Sequence, residues 1–383
     1  MRIAVLFSGD MENLSLGGID RYLKSIISQF DDNVFTVFGT GVNGQVILGK
    51  KYEKEYAGKK YSFIPISDDR RRPLSFYYLF NEVKYLKKFK DFDYIYIQRT
   101  EYTLPFLFFT QKEKIVQIIH GSSKYSFKSL GRTLKKVYLI VEKIAIGIAP
   151  TTFIILNRDE FGVPYYRSKY RNHADKIFYA YNPINTAVFH KKDNYECKNR
   201  LKILNDNKII IYVGRIEDDP KRVLKFPSIC QELNRLGSKC TFLILGNGQD
   251  EKKLKQETVN RQVDSQFIFA GYIETVDVIA DYYNISDVAI NISSFEGTCT
   301  SNLEAIACGT PVVSTDVGDI HEIIGDGKNG IIIPNTETDL VKNAALAINH
   351  ILKDSVVMTD TYMKYDAKKV AEQLRENFFK EIR

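Results

Sequence analysis

The stretch NISSFEGTCTSNLEAIACGTPVV occupies residues 291–313 and contains one strand–loop–helix–strand unit. The apolar run that ends at Ile292 predicts a strand, the small polar residues after it a loop, and the residues from Thr300 onward a helix. Gly309-Thr310-Pro311 marks the turn before the next apolar run. Because a strand that returns through a helix pairs in parallel with the next strand, this stretch indicates an α/β fold.

Outside this stretch, short β-branched or aromatic runs alternate with longer helical patterns. The alternation predicts two α/β domains, each with a doubly wound, Rossmann-like sheet, which face each other across a cleft. The predicted strands are 3–7, 34–38, 61–66, 94–98, 115–119, 153–156 and 177–181 in the first half, and 209–213, 241–245, 267–270, 288–292, 311–315 and 330–333 in the second.

The domain boundary is predicted at Asn182-Pro183-Ile184-Asn185, which is followed by a polar, charged stretch over 191–208. A chain of 383 residues suits two domains of ordinary size. We therefore expect a first domain over 1–184 and a second over 185–361. Apolar residues at helical spacing over 362–383 predict a terminal helix that ends the second domain or crosses back to the first.

The five cysteines, at positions 197, 230, 240, 299 and 308, form no Cys-x-x-Cys pair. This pattern favours reduced, buried thiols over disulfides or zinc ligands. The apolar run at 3–7 is shorter than a signal peptide requires, and no stretch has the ~18 apolar residues of a spanning helix. The sequence therefore predicts a cytoplasmic protein that at most rests on the inner face of the cell membrane.

Positive charge is concentrated in the first half of the chain. Residues 1–185 hold 29 Lys and Arg against 18 Asp and Glu, whereas the remainder holds 25 against 29. A basic half indicates an anionic partner, such as a phospholipid surface or a substrate that carries phosphate. Nucleic acid is not expected, because no recognisable binding module is present. A solvated basic surface without a specific partner is the alternative.

Two glutamates stand eight positions apart in the opening stretch. Glu296 lies in the predicted loop and Glu304 one turn inside the predicted helix, whose first residues are Thr300, Ser301 and Asn302. Backbone amides and the helix dipole attract a diphosphate there, and carboxylates accept hydrogen bonds from sugar hydroxyls. This arrangement suits a nucleotide sugar. A helix cap with two solvated acids is the alternative.

Three further strand-end loops carry glycine. Gly17-Gly18 precede a helical run and would admit a phosphate or sugar, although a turn alone also explains them. Gly214-Arg215, with Lys221-Arg222 close behind, can hold a diphosphate, and solvated surface cations are the alternative. Gly246-Asn247-Gly248 lacks the third glycine of a dinucleotide fingerprint, since position 251 is Glu, and a tight turn suffices to explain it.

The spacing of Glu296 and Glu304 resembles the E-x7-E signature of retaining GT-B glycosyltransferases of family 4, the glycosyl transferases group 1. Other matching positions occur in the family's order, and they are Gly214-Arg215 with Lys221, Gly246-Asn247-Gly248, Gly271-Tyr272-Ile273, and Gly318 with Glu322 and Gly330. The first half matches more loosely. The resemblance implies a GT-B fold and transfer of a sugar from a nucleotide diphosphate sugar with retention of its anomeric configuration.

The resemblance also implies a role for each matched position. The implied catalytic residues are Glu296, His120, Arg215 and Lys221. The implied donor site consists of Gly17, Gly18, Gly214, Arg215, Lys221, Ile273, Glu296, Thr300, Ser301, Asn302 and Glu304. Arg215 and Lys221 would hold the diphosphate. Glu304 would bind the ribose, Glu296 the transferred sugar, and the backbone near Ile273 the base.

Two departures from the family's pattern affect this site. Five residues separate Arg215 from Lys221, one more than is common, so Arg222 could share or replace the role of the lysine. Thr298 and Cys299 follow the Glu-Gly pair in place of the usual proline or apolar residue, which leaves the preference of the sugar pocket open.

Asp91-Phe92-Asp93 resembles the DxD motif of metal-dependent glycosyltransferases. It directly precedes a predicted strand, at the wrong end for a ligand site, so we interpret it as a strand-entry turn. We expect no metal ion and no cofactor, since the cations and the helix N-terminus would support the leaving diphosphate.

Two segments of the first half combine basic with apolar residues. Residues 70–90 contain Lys84, Lys87 and Lys88 among aromatic residues, and residues 124–146 contain a second basic set around an apolar run. Core-packed helices with basic outer faces are one interpretation. The other is a surface that contacts an anionic membrane, near a lipid-linked acceptor.

The predicted enzyme takes a UDP-sugar as donor and a glycan or lipid-linked saccharide as acceptor, in the synthesis of cell-surface polysaccharide or glycoconjugate. The first domain would hold the acceptor. The alternatives are a sugar-nucleotide epimerase or a phosphorylase on the same fold, and a non-catalytic binding subunit of a transferase complex.

Overall fold

The computed structural model describes residues 1–10, 18–42, 46–70, 74–121, 132–158, 160–203, 207–325 and 327–377. The chain divides into two compact units. One unit consists of Met1–Pro183 and the C-terminal helix Ala367–Asn377, and the other consists of Ile184–Asp366. Each unit is built on one sheet.

The sheet of the first unit has eight strands, which are β1 (Ile3–Leu6), β2 (Phe35–Gly41), β3 (Tyr52–Tyr56), β4 (Lys59–Asp68), β5 (Tyr94–Ile97), β6 (Ile115–Ile119), β7 (Thr151–Ile154) and β8 (Ile177–Tyr179). Their spatial order is β3-β4-β2-β1-β5-β6-β7-β8, and among them only β3 is antiparallel to its neighbour. The order reverses between β1 and β5, which makes the loops after these strands the switch point of a doubly wound sheet.

Strand β3 is the strand of this sheet that the sequence analysis missed. Ala57 and Gly58, the two residues between β3 and β4, both have positive φ, at 49° and 74°. Two such residues form the tight turn that joins the strands of a hairpin. The β3 sequence Tyr-Glu-Lys-Glu-Tyr alternates, and its half-buried Tyr52 and Tyr56 pack against the core. Three of its five residues are charged, however, so the strand lacks the apolar run by which the other strands were predicted.

The helices of the first unit cover both faces of this sheet. They are α1 (Gly18–Ile27), α2 (Leu74–Glu82), α3 (Leu86–Phe89), α4 (Arg132–Ile148) and α5 (Val163–Lys169), with a 3-10 helix over Thr100–Phe108. The C-terminal helix packs against α1. Its Val370, Ala371 and Leu374 are at most 2% exposed and join the same apolar cluster as Ile26. The first core therefore includes residues from both ends of the described chain.

The sheet of the second unit confirms all six strands predicted for it. They are β9 (Lys208–Val213), β10 (Cys240–Leu245), β11 (Phe267–Gly271), β12 (Val288–Asn291), β13 (Val312–Thr315) and β14 (Gly330–Ile333). All pair in parallel, in the order β11-β10-β9-β12-β13-β14. Central Ile211 pairs with both Leu243 and Ala289. The order reverses between β9 and β12, so the loops after these two strands form the switch point.

Eight helices are described in the second unit, and they are α6 (Asn194–Leu201), α7 (Asp218–Lys221), α8 (Phe226–Arg235), α9 (Glu251–Asn260), α10 (Val276–Asn284), α11 (Thr300–Ala307), α12 (Ile320–Ile324) and α13 (Leu340–Lys353). Apolar strand residues such as Ile210 and Phe242 are fully buried beneath α8 and α13. Burial of each such side chain contributes about 1.5–3 kcal/mol. The predicted fold class, two doubly wound α/β sheets, is confirmed.

Helix α6 is held to α10 by a charge cluster around the buried Asp281. Asp281, on α10, accepts two hydrogen bonds from Arg200, at 2.8 and 2.9 Å, and one from Lys192 at 3.0 Å. The Arg200 hydrogen bonds are the main reason that the pKa of Asp281 falls to about 2. Asp281 is therefore an ionised anchor for the first helix of the second unit.

Candidate functional site

The loops after β9 and β12 meet at the switch point of the second sheet. These strands are adjacent and parallel, so their loops leave the same edge of the sheet. The amide of Ser294, in the loop after β12, donates to the carbonyl of Pro220, in the short helix α7 that follows β9, at 2.8 Å. This hydrogen bond joins the segments after β9 and β12 directly beside Lys221.

Lys221 and Glu296 form an ion pair in this joined region. Nζ of Lys221 lies 2.5 Å from Oε1 of Glu296, and the two side chains are only 19% and 14% exposed. Burial alone would lower the pKa of Lys221, but the charge of Glu296 and the hydrogen bond to it outweigh burial, and the pKa is raised. The pair is therefore an ammonium held against a carboxylate.

Ser293 is a site residue to which the sequence analysis assigned no role. Its hydroxyl lies 2.6 Å from Oε1 of Glu296 and 2.7 Å from Oδ1 of Asn291, and it is fully buried. Its carbonyl accepts from Oγ1 of Thr315 at 2.6 Å. The available signal was a serine directly after a buried apolar strand, where side chains reach the ligand edge of the sheet.

Helix α11 begins at Thr300, as predicted, with Cys299 as its N-cap residue. Nδ2 of Asn291 donates to Sγ of Cys299 at 2.9 Å, and the hydroxyl of Ser301 lies 3.1 Å from the same sulfur. Burial, and secondly the charge of Glu296, raise the pKa of Cys299 to about 11. The protonated thiol is thus part of the polar chain that links the end of β12 to the start of α11.

Glu304 lies in α11, one turn inside the helix, as the sequence predicted. It is 6% exposed, and Oε2 accepts from the hydroxyl of Tyr283 at 3.4 Å. Asn302, on the preceding turn, is 2% exposed, and its Nδ2 has no hydrogen-bond partner within the described part of the chain. Both polar side chains are therefore nearly enclosed at the N-terminal half of α11.

The turn after β13 supports the Glu296 loop from its other side. Gly318 has φ +52°, and a Cβ at this position would lie 1.8 Å from the carbonyl oxygen of Gly297. A larger residue would collide with the backbone of the loop. The close approach explains why the family-like position 318 is glycine.

The sequence makes both Arg215 and Arg222 candidate ligands of a diphosphate, but the structure gives the two side chains different surroundings. The side chain of Arg215 is 68% exposed and pairs with Glu217 at 2.9 Å. Arg222 donates from Nη1 to Oδ1 of Asn335 at 2.7 Å, and its Nε lies 2.8 Å from Glu337. Arg222 is thus engaged with the loop after β14, and Lys221 is the cation that contacts Glu296.

The two glycines of the predicted Gly-Asn-Gly turn are required by close backbone packing. A Cβ on Gly246, whose φ is +132°, would lie 1.9 Å from the carbonyl oxygen of Gly214, and one on Gly248 would lie 2.3 Å from that of Ile216. The turn therefore supports the loop that carries Arg215.

Ile273, the predicted base contact, lies in the loop between β11 and α10, two residues after Gly271.

His120 follows β6 in the first unit. Its Nε2 lies 2.8 Å from Oε1 of Gln98, and its ring packs edge-on against Tyr22 at 5.0 Å. Burial lowers the pKa of His120 to about 3, which makes the ring neutral near pH 7. Gly18 begins α1, and Gly17 lies outside the described residues.

Asp93, of the predicted strand-entry turn, accepts a hydrogen bond from the amide of Arg2 at 2.6 Å. It directly precedes β5, at the amino-terminal edge of the sheet.

Across the described ranges, no cluster of three or more His, Cys, Asp or Glu side chains is arranged to hold a metal ion. None of the helices in those ranges combines the length and apolar character that crossing a bilayer requires.

A family model described as Glycosyl transferases group 1 matches residues 193–370. Over 206 residues the chain is 25% identical to N-acetyl-alpha-D-glucosaminyl L-malate synthase of Bacillus anthracis, a match that covers 53% of this chain and 49% of that protein. The chain spans about half the length of curated relatives such as this one.

Solved structures resemble the chain over almost its full length. Sucrose-phosphate synthase of Thermosynechococcus elongatus has a TM-score of 0.78 at 16% identity, with 99% of this chain and 98% of that chain covered. HepE of Anabaena in complex with UDP and glucose has a TM-score of 0.71 at 15% identity, with 99% and 100% covered. At such identities the likeness establishes the fold.

Proposed function

Because this chain belongs to the glycosyl transferases group 1 family, with the GT-B fold, we propose that it is a nucleotide-sugar-dependent, retaining glycosyltransferase. The observation that carries the proposal is the contact of Lys221 with Glu296 beside the N-terminus of α11. A cation, a carboxylate and a helix N-terminus in one loop cluster are the partners that a diphosphate and a sugar require.

The diphosphate of the donor binds Arg215 and the amides at the start of α11, from Thr300 to Asn302. Arg215 supports this role because its guanidinium is largely exposed and is held at the end of β9. Glu304 accepts hydrogen bonds from the ribose hydroxyls. The backbone near Ile273 contacts the base.

Glu296 receives the transferred sugar. Among the residues that the structure describes, the hydrogen bonds to its carboxylate come from Lys221 and Ser293, and both end on Oε1. Oε2 is therefore the atom that accepts a sugar hydroxyl. Lys221 carries three N–H groups, so it can keep its contact with Glu296 and also donate to the diphosphate.

The chemical step breaks the bond between the anomeric carbon and the donor phosphate oxygen and forms a bond from that carbon to the acceptor oxygen on the same face. The proton of the acceptor hydroxyl passes to the departing phosphate oxygen. Arg215, Lys221 and the N-terminus of α11 stabilise the negative charge that develops there. The step needs no metal ion or cofactor in this proposal.

The donor is proposed to be a UDP-sugar, a choice supported by the fold likeness to HepE, which was solved in complex with UDP and glucose. The acceptor is a glycan or lipid-linked saccharide that the first unit binds, in cell-surface polysaccharide or glycoconjugate synthesis. His120, in the first unit, would contact the substrate as a neutral ring, which can donate one hydrogen bond and accept another.

The test follows UDP-glucose and its products by NMR, with and without an extract of lipid-linked saccharides. UDP released only with the extract, together with a glycosylated lipid, supports the proposal. An epimerised nucleotide sugar would identify an epimerase, and a sugar phosphate a phosphorylase. Donor binding without any product would identify a binding subunit. Glu296→Gln should abolish turnover, whereas the remote control Glu232→Gln should not.

A further inference from the structure

Helix α4 is apolar on two opposite faces. Its inner face buries Ala145 and Ile146, both at 0% exposure. Its outer face exposes Val137, Ile140 and Ile144, which recur at spacings of three and four residues and are 52%, 60% and 38% exposed. A helix with apolar residues on two opposite faces is expected to be covered on both, so the outer stripe indicates a further contact.

A second apolar stripe lies on helix α2 and the 3-10 helix Val83–Tyr85 that directly follows it. Phe76 and Phe80 of α2 and Val83 of the 3-10 helix are 64%, 62% and 53% exposed at the same helical spacing. The 3-10 helix Thr100–Phe108 packs against both α2 and α4, and its Phe108 is 88% exposed. Three neighbouring elements therefore present apolar side chains to solvent, a pattern that marks an interaction surface.

In the described part of α2, α3 and α4, the charged side chains that reach solvent are basic. The acidic residues of these helices, Glu82 and Glu142, are both fully buried. Glu142 also accepts from Lys169 at 2.7 Å, inside the fold. The acidic residue of Thr100–Phe108, Glu101, pairs with Arg99 at 2.9 Å. Lysines border the stripes, and those that are exposed are Lys84, Lys87, Lys88, Lys136 and Lys143.

We propose that this surface, the outer face of α2, α4 and Thr100–Phe108, docks onto an anionic phospholipid bilayer. Helices of this composition lie in the interface with the apolar side chains at the level of the acyl boundary and the lysines at the headgroups. Lysines are depleted from the cores of protein–protein interfaces, so their position along both stripes favours a bilayer over a protein partner. The proposal extends the proposed function by placing the enzyme beside a lipid-linked acceptor.

The test is sedimentation of the full chain with vesicles of pure phosphatidylglycerol and of pure phosphatidylcholine, at low and high salt. Binding to the anionic vesicles that weakens with salt is expected. Each Lys→Gln change at Lys136 or Lys143 should weaken it about five-fold. The triple variant Val137→Ser, Ile140→Ser, Ile144→Ser should weaken it about ten-fold or more.

Matched controls lie on the second unit, where Val259 and Leu346 are exposed at 54% and 44%. Val259→Ser with Leu346→Ser, and Lys252→Gln, should leave vesicle binding unchanged. Melting temperatures of all variants are measured to confirm that they fold. The proposal is overturned if the wild type ignores anionic vesicles, if the triple variant binds like the wild type, or if the triple change instead abolishes a dimer of this chain. Because vesicle binding is read without donor or turnover, its failure is distinct from failure of the proposed function.

Discussion

The ammonium of Lys221 lies 2.5 Å from Oε1 of Glu296, although 75 positions separate the two residues in the chain. The contact exists because the segments after β9 and β12 are joined by the hydrogen bond between Ser294 and Pro220. Neither side chain is more than 19% exposed. Loss of either charge therefore leaves the other with little access to water.

Lys221→Met should lower kcat/KM for the UDP-sugar about 100-fold or more, because a cation beside the leaving diphosphate is lost. The free energy of unfolding should fall by about 1–3 kcal/mol, since Glu296 keeps its charge without a cationic partner. Steady-state kinetics and urea unfolding measure the two effects. The double variant with Glu296→Gln should be more stable than the sum of the single changes predicts, and strict additivity would contradict the coupling.

Arg215→Gln should weaken UDP binding by about 10- to 100-fold, the range for a hydrogen bond to a charged group. Stability should stay within about 0.5 kcal/mol of the wild type, because the side chain is 68% exposed. Isothermal titration with UDP measures the affinity. Arg235→Gln is the control, since Arg235 is 80% exposed in a comparable pair with Glu232, and equal effects of the two changes would remove Arg215 from the donor site.

Gly318→Ala should displace the loop that carries Glu296. Positive φ alone costs alanine about 1 kcal/mol, and the approach to the carbonyl of Gly297 should raise the total to about 3 kcal/mol. The affinity for UDP should also fall, because the loop that carries Glu296 is displaced. Gly237→Ala isolates the backbone term, because Gly237 has φ +79° and open space around a Cβ. Similar losses for both variants would show that the close approach at Gly318 is relieved at little cost.

The free energy of unfolding should fall as the pH drops below 6.5, in part because of His120. The pKa of His120 is lowered from 6.5 to about 3 in the folded protein, so between these values the unfolded chain binds a proton that the folded one does not. His120→Gln should reduce this slope by at most about 1.4 kcal/mol per pH unit.

Urea unfolding at a series of pH values measures that slope. The window between pH 6.5 and 3.8 is suitable, because the stabilisation that Asp281 contributes is lost only as the pH falls below 3.8 toward about 2. An identical slope in the wild type and in His120→Gln would show that the ring is hydrated in the folded protein.

Much of the second unit was predictable because its strands are short, apolar and separated by clear turn residues. The start of α11 at Thr300 and the place of Glu304 inside it follow from local spacing alone. The hairpin strand β3 was not predictable from periodicity, since its sequence is charged and it lies at an edge. Only the pair Ala57-Gly58 signalled its turn.

The contacts of the candidate site were harder to predict because they join residues distant in sequence. The resemblance left open whether Lys221 or Arg222 serves the site. In the structure Arg222 contacts Asn335 and Glu337, whereas Lys221 contacts Glu296, and this difference supports the proposal for Lys221. The role of Ser293 depends on the loop geometry that places its hydroxyl near Glu296. The partners of Arg222 have no local signal in the chain, and for Ser293 the only local signal is its position after a buried apolar strand.

The place of the C-terminal helix in the first core has a consequence for synthesis on the ribosome. The second unit is one continuous segment and can complete its core as soon as residue 366 has emerged. The first unit begins earlier but needs Val370, Ala371 and Leu374 to cover its apolar surface beside α1. The unit that is made first therefore finishes folding last, and until then its uncovered surface is a site for chaperones.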